Sequence, residues 1–152
     1  MVNYYPIFLD LRSKPVLVVG GGKVALRKVK RLIEAEARVT IVSPIVADEL
    51  RGHQVTLIER KYAPGDCIGY ALIFAATDGR DVNAQIARDA AALGIPANVA
   101  DSPEECGFLV PAQFSESGVQ VAVSTYGVNP RRAVAIRDRI RQLAQDWMIS
   151  ER

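Results

Sequence analysis

Residues 16–28 read VLVVGGGKVALRK, and the fold turns on this stretch. Val16 to Val19 form an unbroken run of β-branched residues and leucine, the pattern of a strand buried on both faces. Gly20, Gly21 and Gly22 stop it. From Val24 to Ala37 the apolar residues Ala25, Val29, Leu32 and Ile33 recur at helical spacing, with Arg27, Lys28, Lys30 and Arg31 on the other faces. Gly20, Gly22 and Ala25 thus satisfy GxGxxA where a buried strand enters an amphipathic helix. In that setting Gly20 permits the tight turn, Gly22 lets backbone approach a pyrophosphate, and Ala25 lets the helix lie close to the sheet. The amides of Lys23 and Val24 then face the phosphates. A merely flexible turn is the plainer alternative.

The same alternation continues outward. Val39–Val42 is a second buried strand ended by Ser43 and Pro44, Val46–Leu50 a short helix, and Val55–Glu59 a third strand. Ala71–Thr77 (ALIFAAT) reads as a fourth, central strand. Asp81–Leu93 is a helix with apolar positions Val82, Ile86, Ala90 and Leu93, stopped by Gly94, and Ala97–Ala100 is a fifth strand. This order predicts an α/β fold, a Rossmann-like parallel sheet with helices on both faces. Upstream, Tyr5, Ile7 and Leu9 alternate as in a short lead-in strand. Downstream, Phe108–Val110 and Gly118–Ser124 read as extended pieces flanking the turn-rich FSESG. A terminal helix follows Pro130, with Ala133, Ile136, Ile140, Leu143 and Trp147 on one face. The composition shift near Pro111 divides the chain into residues 1–112 and a small strand-helix segment, 113–152. That segment cannot form a core alone, so its apolar faces need the first domain or a second subunit.

Composition fits one globular domain with a small appendage. The 152 residues are 49% hydrophobic and 24% charged, which excludes disorder, collagen and coiled coil. Nineteen Lys and Arg against seventeen Asp and Glu leave +2, too little to indicate nucleic-acid binding. No apolar run approaches the roughly 18 residues of a membrane span. Cys67 and Cys106 lack a CxxC pairing and no secretory leader is evident, so the expected setting is a reducing cytoplasm, without a disulfide framework or structural metal.

Candidate chemical residues gather at the strand ends. The acidic residue that usually grips the NAD ribose is replaced by Ser43 and Pro44; Ser43 could hydrogen-bond a ribose hydroxyl, and this turn leaves NAD against NADP open. Ala76 and Thr77 end the fourth strand at the edge where a dinucleotide lies. Asp101 follows the fifth strand and could accept a proton; the alternative is an Asx-turn or helix cap with Ser102 and Pro103. His53, the only histidine, sits in RGHQ as a surface residue with no group to orient it. Arg131, Arg132, Arg137, Arg139 and Arg141 crowd the last helix, either as a solvated face or as a site for a polyanion. Arg131 and Arg132 lie at its start, where the macrodipole disfavours them.

Taken in order, YPIFLDLRSKPVLVVGGGKVALRKV (5–29), ARVTIVSP (37–44), IFAATD (73–78), NVADSPEECGFLVPA (98–112) and VAVSTYGVNPRRA (121–133) resemble the precorrin-2 dehydrogenase and sirohydrochlorin ferrochelatase family, the N-terminal module of siroheme synthase. The resemblance implies an oxidoreductase for which NAD accepts a hydride from precorrin-2 to give sirohydrochlorin. In members with both activities Fe(II) is then inserted as a substrate. It further implies that Asp101 is the acid or base, that Gly22, Lys23, Val24, Ser43, Pro44 and Ile45 contact NAD, and that Ser124 and the adjoining Thr125 line the tetrapyrrole site. Arg131 and Arg132 suit its carboxylate arms. It implies a homodimer formed by the C-terminal segment. Tyr126 and Asn129 stand where the family has a glycine and a serine. The chain stops at Arg152, before the further helical segment of longer relatives, so dehydrogenation is the firmer expectation and chelation the lesser. The readings that compete are a nucleotide-sensing regulatory domain and a non-catalytic tetrapyrrole-binding scaffold.

Overall fold

The structure is a computed structural model that describes residues 3–149. It divides into two compact units, Pro6–Phe108 and a second built on the chain from Leu109.

In the first unit the apolar runs become parallel strands. β1 (Pro15–Val19), β2 (Arg38–Val42), β3 (Thr56–Ile58), β4 (Leu72–Ala75) and β5 (Ala97–Val99) form one sheet in the order β3-β2-β1-β4-β5. Every pairing is parallel, with Val19 opposite both Val42 and Ala75. Side chains alternate across the sheet and build a core on each face. Val16 and Val18 join Ala25, Val29 and Leu32 of α1 (Lys23–Glu34). Leu17 and Val19 join Ile86 and Ala90 of α3 (Arg80–Ala92). A Rossmann-like sheet covered on both sides is therefore what the sequence builds. The short α2 is Asp48–Arg51.

Both long helices of this unit end in Schellman motifs. In α3, Gly94 takes φ +67°, while the amides of Gly94 and Ile95 donate to Ala91 and Ala90. In α1, Glu36 takes the same left-handed place at φ +57°, and the helix stops before Ala37, short of the predicted end.

The second unit pairs β6 (Ala112–Glu116) with β7 (Val119–Val123) as an antiparallel hairpin, followed by α4 (Pro130–Ile149). Its turn is Ser117-Gly118, both left-handed at φ +50° and +79°, as a two-residue type I′ turn requires. Phe114 is buried, with the Arg141 guanidinium 5.3 Å from its ring centroid.

Several expectations are corrected. Residues 5–9 are not a strand: Tyr5, Ile7 and Leu9 are exposed and no neighbouring strand pairs with them. The first hairpin arm is Ala112–Glu116 rather than Phe108–Val110, so Phe114, Ser115 and Glu116 belong to a strand and only Ser117-Gly118 turns. On α3 the buried positions are Asn83, Ile86 and Ala90, whereas Val82 and Leu93 face outward. The apolar face of α4, expected to meet the first domain or a second subunit, is not corrected: Ala133 is buried and Ile136 and Leu143 are exposed in the single chain, and Trp147 lies outside the described side chains. Among the described residues no helix is long and apolar enough to cross a membrane.

Candidate functional site

Because all five strands run parallel, their carboxyl ends share one edge, and the chain reverses its winding between β1 and β4. That switch point is where open α/β sheets hold ligands. Gly20 ends β1 at φ +124°, and a methyl group there would collide with the Ala76 carbonyl. Only glycine fits, both for its backbone and for the approach of the β4 end. The Gly20 amide donates to Val42 O and the Ala76 amide to Val19 O, at 2.9 and 2.8 Å, so the ends of β1, β2 and β4 are tied together.

Gly22 differs. Its backbone is extended, at φ −95° and ψ −166°, and a Cβ there would meet nothing within 4 Å. It is the N-cap of α1, no side chain caps the helix, and its first turn carries no acidic residue. The helix ladder begins with the Leu26 amide on Gly22 O, leaving the amides of Lys23, Val24 and Ala25 ahead of it. Amides outside the helix ladder at its positive end, beside open space above a glycine, fit a pyrophosphate.

Gly21, which the motif leaves unspecified, is buried against the loop after β2: a Cβ would strike the Ile45 carbonyl. Its own carbonyl accepts from the Ala47 amide at 2.9 Å. The glycine turn and the second-strand loop are therefore one packed unit. Ser43 is 6% exposed and its hydroxyl donates to Ile45 O at 2.6 Å. It braces that loop, and what remains for a ribose is its acceptor capacity. Pro44 is exposed, and Ile45, 81% exposed, offers an apolar surface suited to a purine face.

At the end of β4, Thr77 is clasped by Asn83 of α3. The Thr77 hydroxyl donates to Asn83 Oδ1 at 2.7 Å, the Thr77 amide donates to the same oxygen, and Asn83 Nδ2 donates to Thr77 O at 3.0 Å. Asn83 is fully buried. The sequence gives little sign of it, since an asparagine on a helix normally reads as solvent-facing.

The Ala75–Val99 rung is the last between β4 and β5, and Thr77 and Asp101 each follow it by two residues, at the carboxyl edge. Asp101 neither caps nor closes an Asx-turn among the described residues. Its Oδ1 accepts from Arg80 Nη1 at 3.0 Å, and Arg80 Nη2 reaches Glu105. The Arg80 guanidinium is held even more firmly protonated than usual, first by Glu105 and then by Asp101.

Another unforeseen group lies close in sequence to this edge. Lys28, expected on the polar side of α1, is half-buried, and its ammonium donates to Asn98 Oδ1 at 2.6 Å while standing 5.0 Å from the Phe74 ring centroid. Burial pushes its pKa down to about 8. Asn98 in turn donates to Phe108 O at 3.1 Å.

The remaining predicted residues belong to the second unit. Ser124 Oγ accepts from the Tyr126 amide, and Thr125 Oγ1 donates to Asn129 O at 2.7 Å. Asn129 Oδ1 accepts from the Arg132 amide at 2.9 Å, capping α4 with Pro130 in its first turn. Asn129 thus does the capping work that a serine would do. Tyr126, at φ +56°, occupies a left-handed position natural to glycine. Arg131 and Arg132 are exposed without a carboxylate partner among the described residues, whereas Arg141 engages Phe114 and Glu116. His53 has no side-chain hydrogen bond among the described residues, and no cluster of His, Cys, Asp and Glu there could hold a metal.

The edge defines an α/β domain of the dinucleotide-binding kind. The family model NAD_binding_7, described as "Putative NAD(P)-binding", matches residues 7–112. The chain belongs to this family of NAD(P)-binding domains. It is 41% identical over 143 residues to a siroheme synthase of Thioalkalivibrio sulfidiphilus, covering 91% of this chain and 29% of that protein. It is 44% identical over 144 residues to a siroheme synthase of Pseudomonas paraeruginosa, with 91% and 31% covered. The chain therefore spans less than a third of these relatives. Among solved structures it is similar to SirC, precorrin-2 dehydrogenase, with a TM-score of 0.77 and 30% identity over 90% of this chain and 69% of that one.

Proposed function

We propose that this chain catalyses the NAD-dependent dehydrogenation of precorrin-2 to sirohydrochlorin, within siroheme biosynthesis. The observation that carries this reading is that an uncapped glycine turn, at the end of β1, and Asp101, just past the end of β5, lie at the same carboxyl edge of the sheet. The likeness to a solved precorrin-2 dehydrogenase supports the substrate.

Gly20, Gly22, Lys23 and Val24 receive the pyrophosphate, while Ser43, Pro44 and Ile45 bracket the adenosine. Ala76 and Thr77 border the nicotinamide. Bound NAD supplies the hydride acceptor. Removal of a hydride from a macrocycle carbon leaves a proton to be lost, and the Asp101 carboxylate takes it. Ser124, Thr125, Arg131 and Arg132 receive the acetate and propionate arms, for which unpaired guanidinium groups are the fitting partners. In this reading residues 1–112 hold the cofactor, and residues 113–152 hold the substrate arms and the subunit contact.

Two finer proposals accompany it. The chain forms a homodimer through the C-terminal unit, whose Val119, Val134, Ile136 and Leu143 are exposed apolar residues. Fe(II) insertion into sirohydrochlorin is a second activity, with the metal as a substrate and the pyrrole protons again passed to Asp101.

The test is an anaerobic assay of purified protein with precorrin-2 and NAD, following NADH and the sirohydrochlorin spectrum, beside Asp101→Asn. NADH formation by the wild type, lowered by about 10²-fold or more in the variant, is expected. Tight NAD binding without turnover would instead favour a sensing or scaffold role. Fe(II) added to the product mixture tests chelation.

A further inference from the structure

We propose that Arg80 and Glu105 are positioning residues that act as a matched pair to present Asp101 with one oxygen held and the other free. This rests on the reading of Asp101 as the proton acceptor.

The three side chains come from different elements. Arg80 opens α3, Asp101 follows β5, and Glu105 ends the single 3-10 turn Pro103–Glu105. Arg80 divides its guanidinium between them, with Nη1 on Asp101 Oδ1 at 3.0 Å and Nη2 on Glu105 Oε1. Asp101 Oδ2 has no partner among the described residues.

A guanidinium facing one carboxylate normally takes both its oxygens in a fork. Such a fork on Asp101 would fix the carboxylate firmly but engage both of its oxygens with the cation, leaving neither wholly free for a substrate proton. Glu105 draws off the second nitrogen. The result is a carboxylate oriented through Oδ1 that keeps Oδ2 for the reaction, and a group of two anions and one cation that retains a net negative charge to attract a proton.

The side chains of all three remain 36–45% exposed, so the arrangement contributes little to stability. Its use lies in geometry, where small displacements of a reacting group are costly.

The geometry makes a prediction that a simple charge effect does not. Loss of Arg80 frees the Asp101 carboxylate to rotate; loss of Glu105 lets Arg80 capture it with both nitrogens. Each should lower turnover, yet Glu105 acts only through Arg80, so removing both should cost no more than removing Arg80.

The experiment is a double-mutant cycle with Arg80→Met, Glu105→Gln and the double variant, measured for precorrin-2 dehydrogenation, with NAD binding measured separately. About a tenfold fall in kcat is expected for each single variant, with KM for precorrin-2 and Kd for NAD unchanged, and no further fall in the double variant. The Asp101 carboxyl 13C signal, observed without substrate, should shift in both single variants. Unchanged kcat in Arg80→Met, additive losses, or a rise in KM alone would overturn the proposal; the last would make Arg80 a substrate-arm ligand. An Asp101→Asn enzyme with full turnover would instead overturn the acid-base reading itself, and the 13C shifts would still report whether the pair exists.

Discussion

Two glycines two residues apart in one turn have opposite reasons to be glycine. Gly20 is required by the fold, since its φ is +124° and the Ala76 carbonyl occupies the place of a side chain. Gly22 has ordinary backbone angles and open space. Gly20→Ala should therefore cost about 2–4 kcal/mol in unfolding free energy. Gly22→Ala should cost less than about 1 kcal/mol yet weaken NAD by about tenfold or more, because the methyl group stands where phosphate approaches. Chemical denaturation and calorimetric NAD titration separate the two. Tyr126 makes the converse case: at φ +56° a tyrosine bears strain that glycine would not. Tyr126→Gly should stabilise the chain by up to about 1 kcal/mol, the relief being partly offset by a more flexible unfolded chain. A rise in the denaturation midpoint checks it.

At the scale of elements, what was legible followed from local pattern. The strand-glycine-helix junction needs only neighbours in sequence, and α1, α3 and the central strands lie within a few residues of their expected limits. The alternation at residues 5–9 looked the same locally but has no strand to pair with, so it forms none. Lys28 and Asn83 were illegible for a related reason. Each is a polar residue on a helix whose burial follows from tertiary packing and not from helical spacing: Asn98 lies 70 positions from Lys28, and Asn83 reaches back across the β4–α3 turn to Thr77. The buried lysine has a measurable consequence. Its folded pKa of about 8 lies below the unfolded value near 10.4, so between these pH values the unfolded chain binds the extra proton. Stability should then rise with pH across that window, and the penalty should be complete below pH 8. Relative to Lys28→Met, in which other titrations cancel, the wild type should gain about 1–3 kcal/mol from pH 7.5 to 10.5. Urea denaturation of both proteins at the two pH values gives the difference directly.

For the whole molecule, the exposed apolar residues of the C-terminal unit set the assembly question. Ile136 and Leu143 belong to the face that needs the first domain or a second subunit, and they are 38% and 36% exposed while Ala133 is buried. A helix with one covered stripe and a second uncovered one is suited to a symmetric contact, in which the same patch meets its own copy. Sedimentation velocity should find a dimer, and Leu143→Glu should convert it to a monomer by placing a charge in the contact. A wild-type monomer at micromolar concentration would refute the homodimer.

The sheet's own margin is closed by an unusual group. Beyond β5 the chain doubles back, the Gly107 amide donates to Ala97 O at 2.8 Å, and the Val99 amide ends on the Cys106 sulfur at 3.2 Å. A thiol is a weak acceptor and a chemically mutable one, since peroxide converts it to oxyacids of greater bulk. A backbone amide at a sheet border is also what foreign strands recruit when chains aggregate. Oxidation of Cys106 would therefore also uncover a backbone amide at the sheet border, a few residues from Asp101, the proposed proton acceptor.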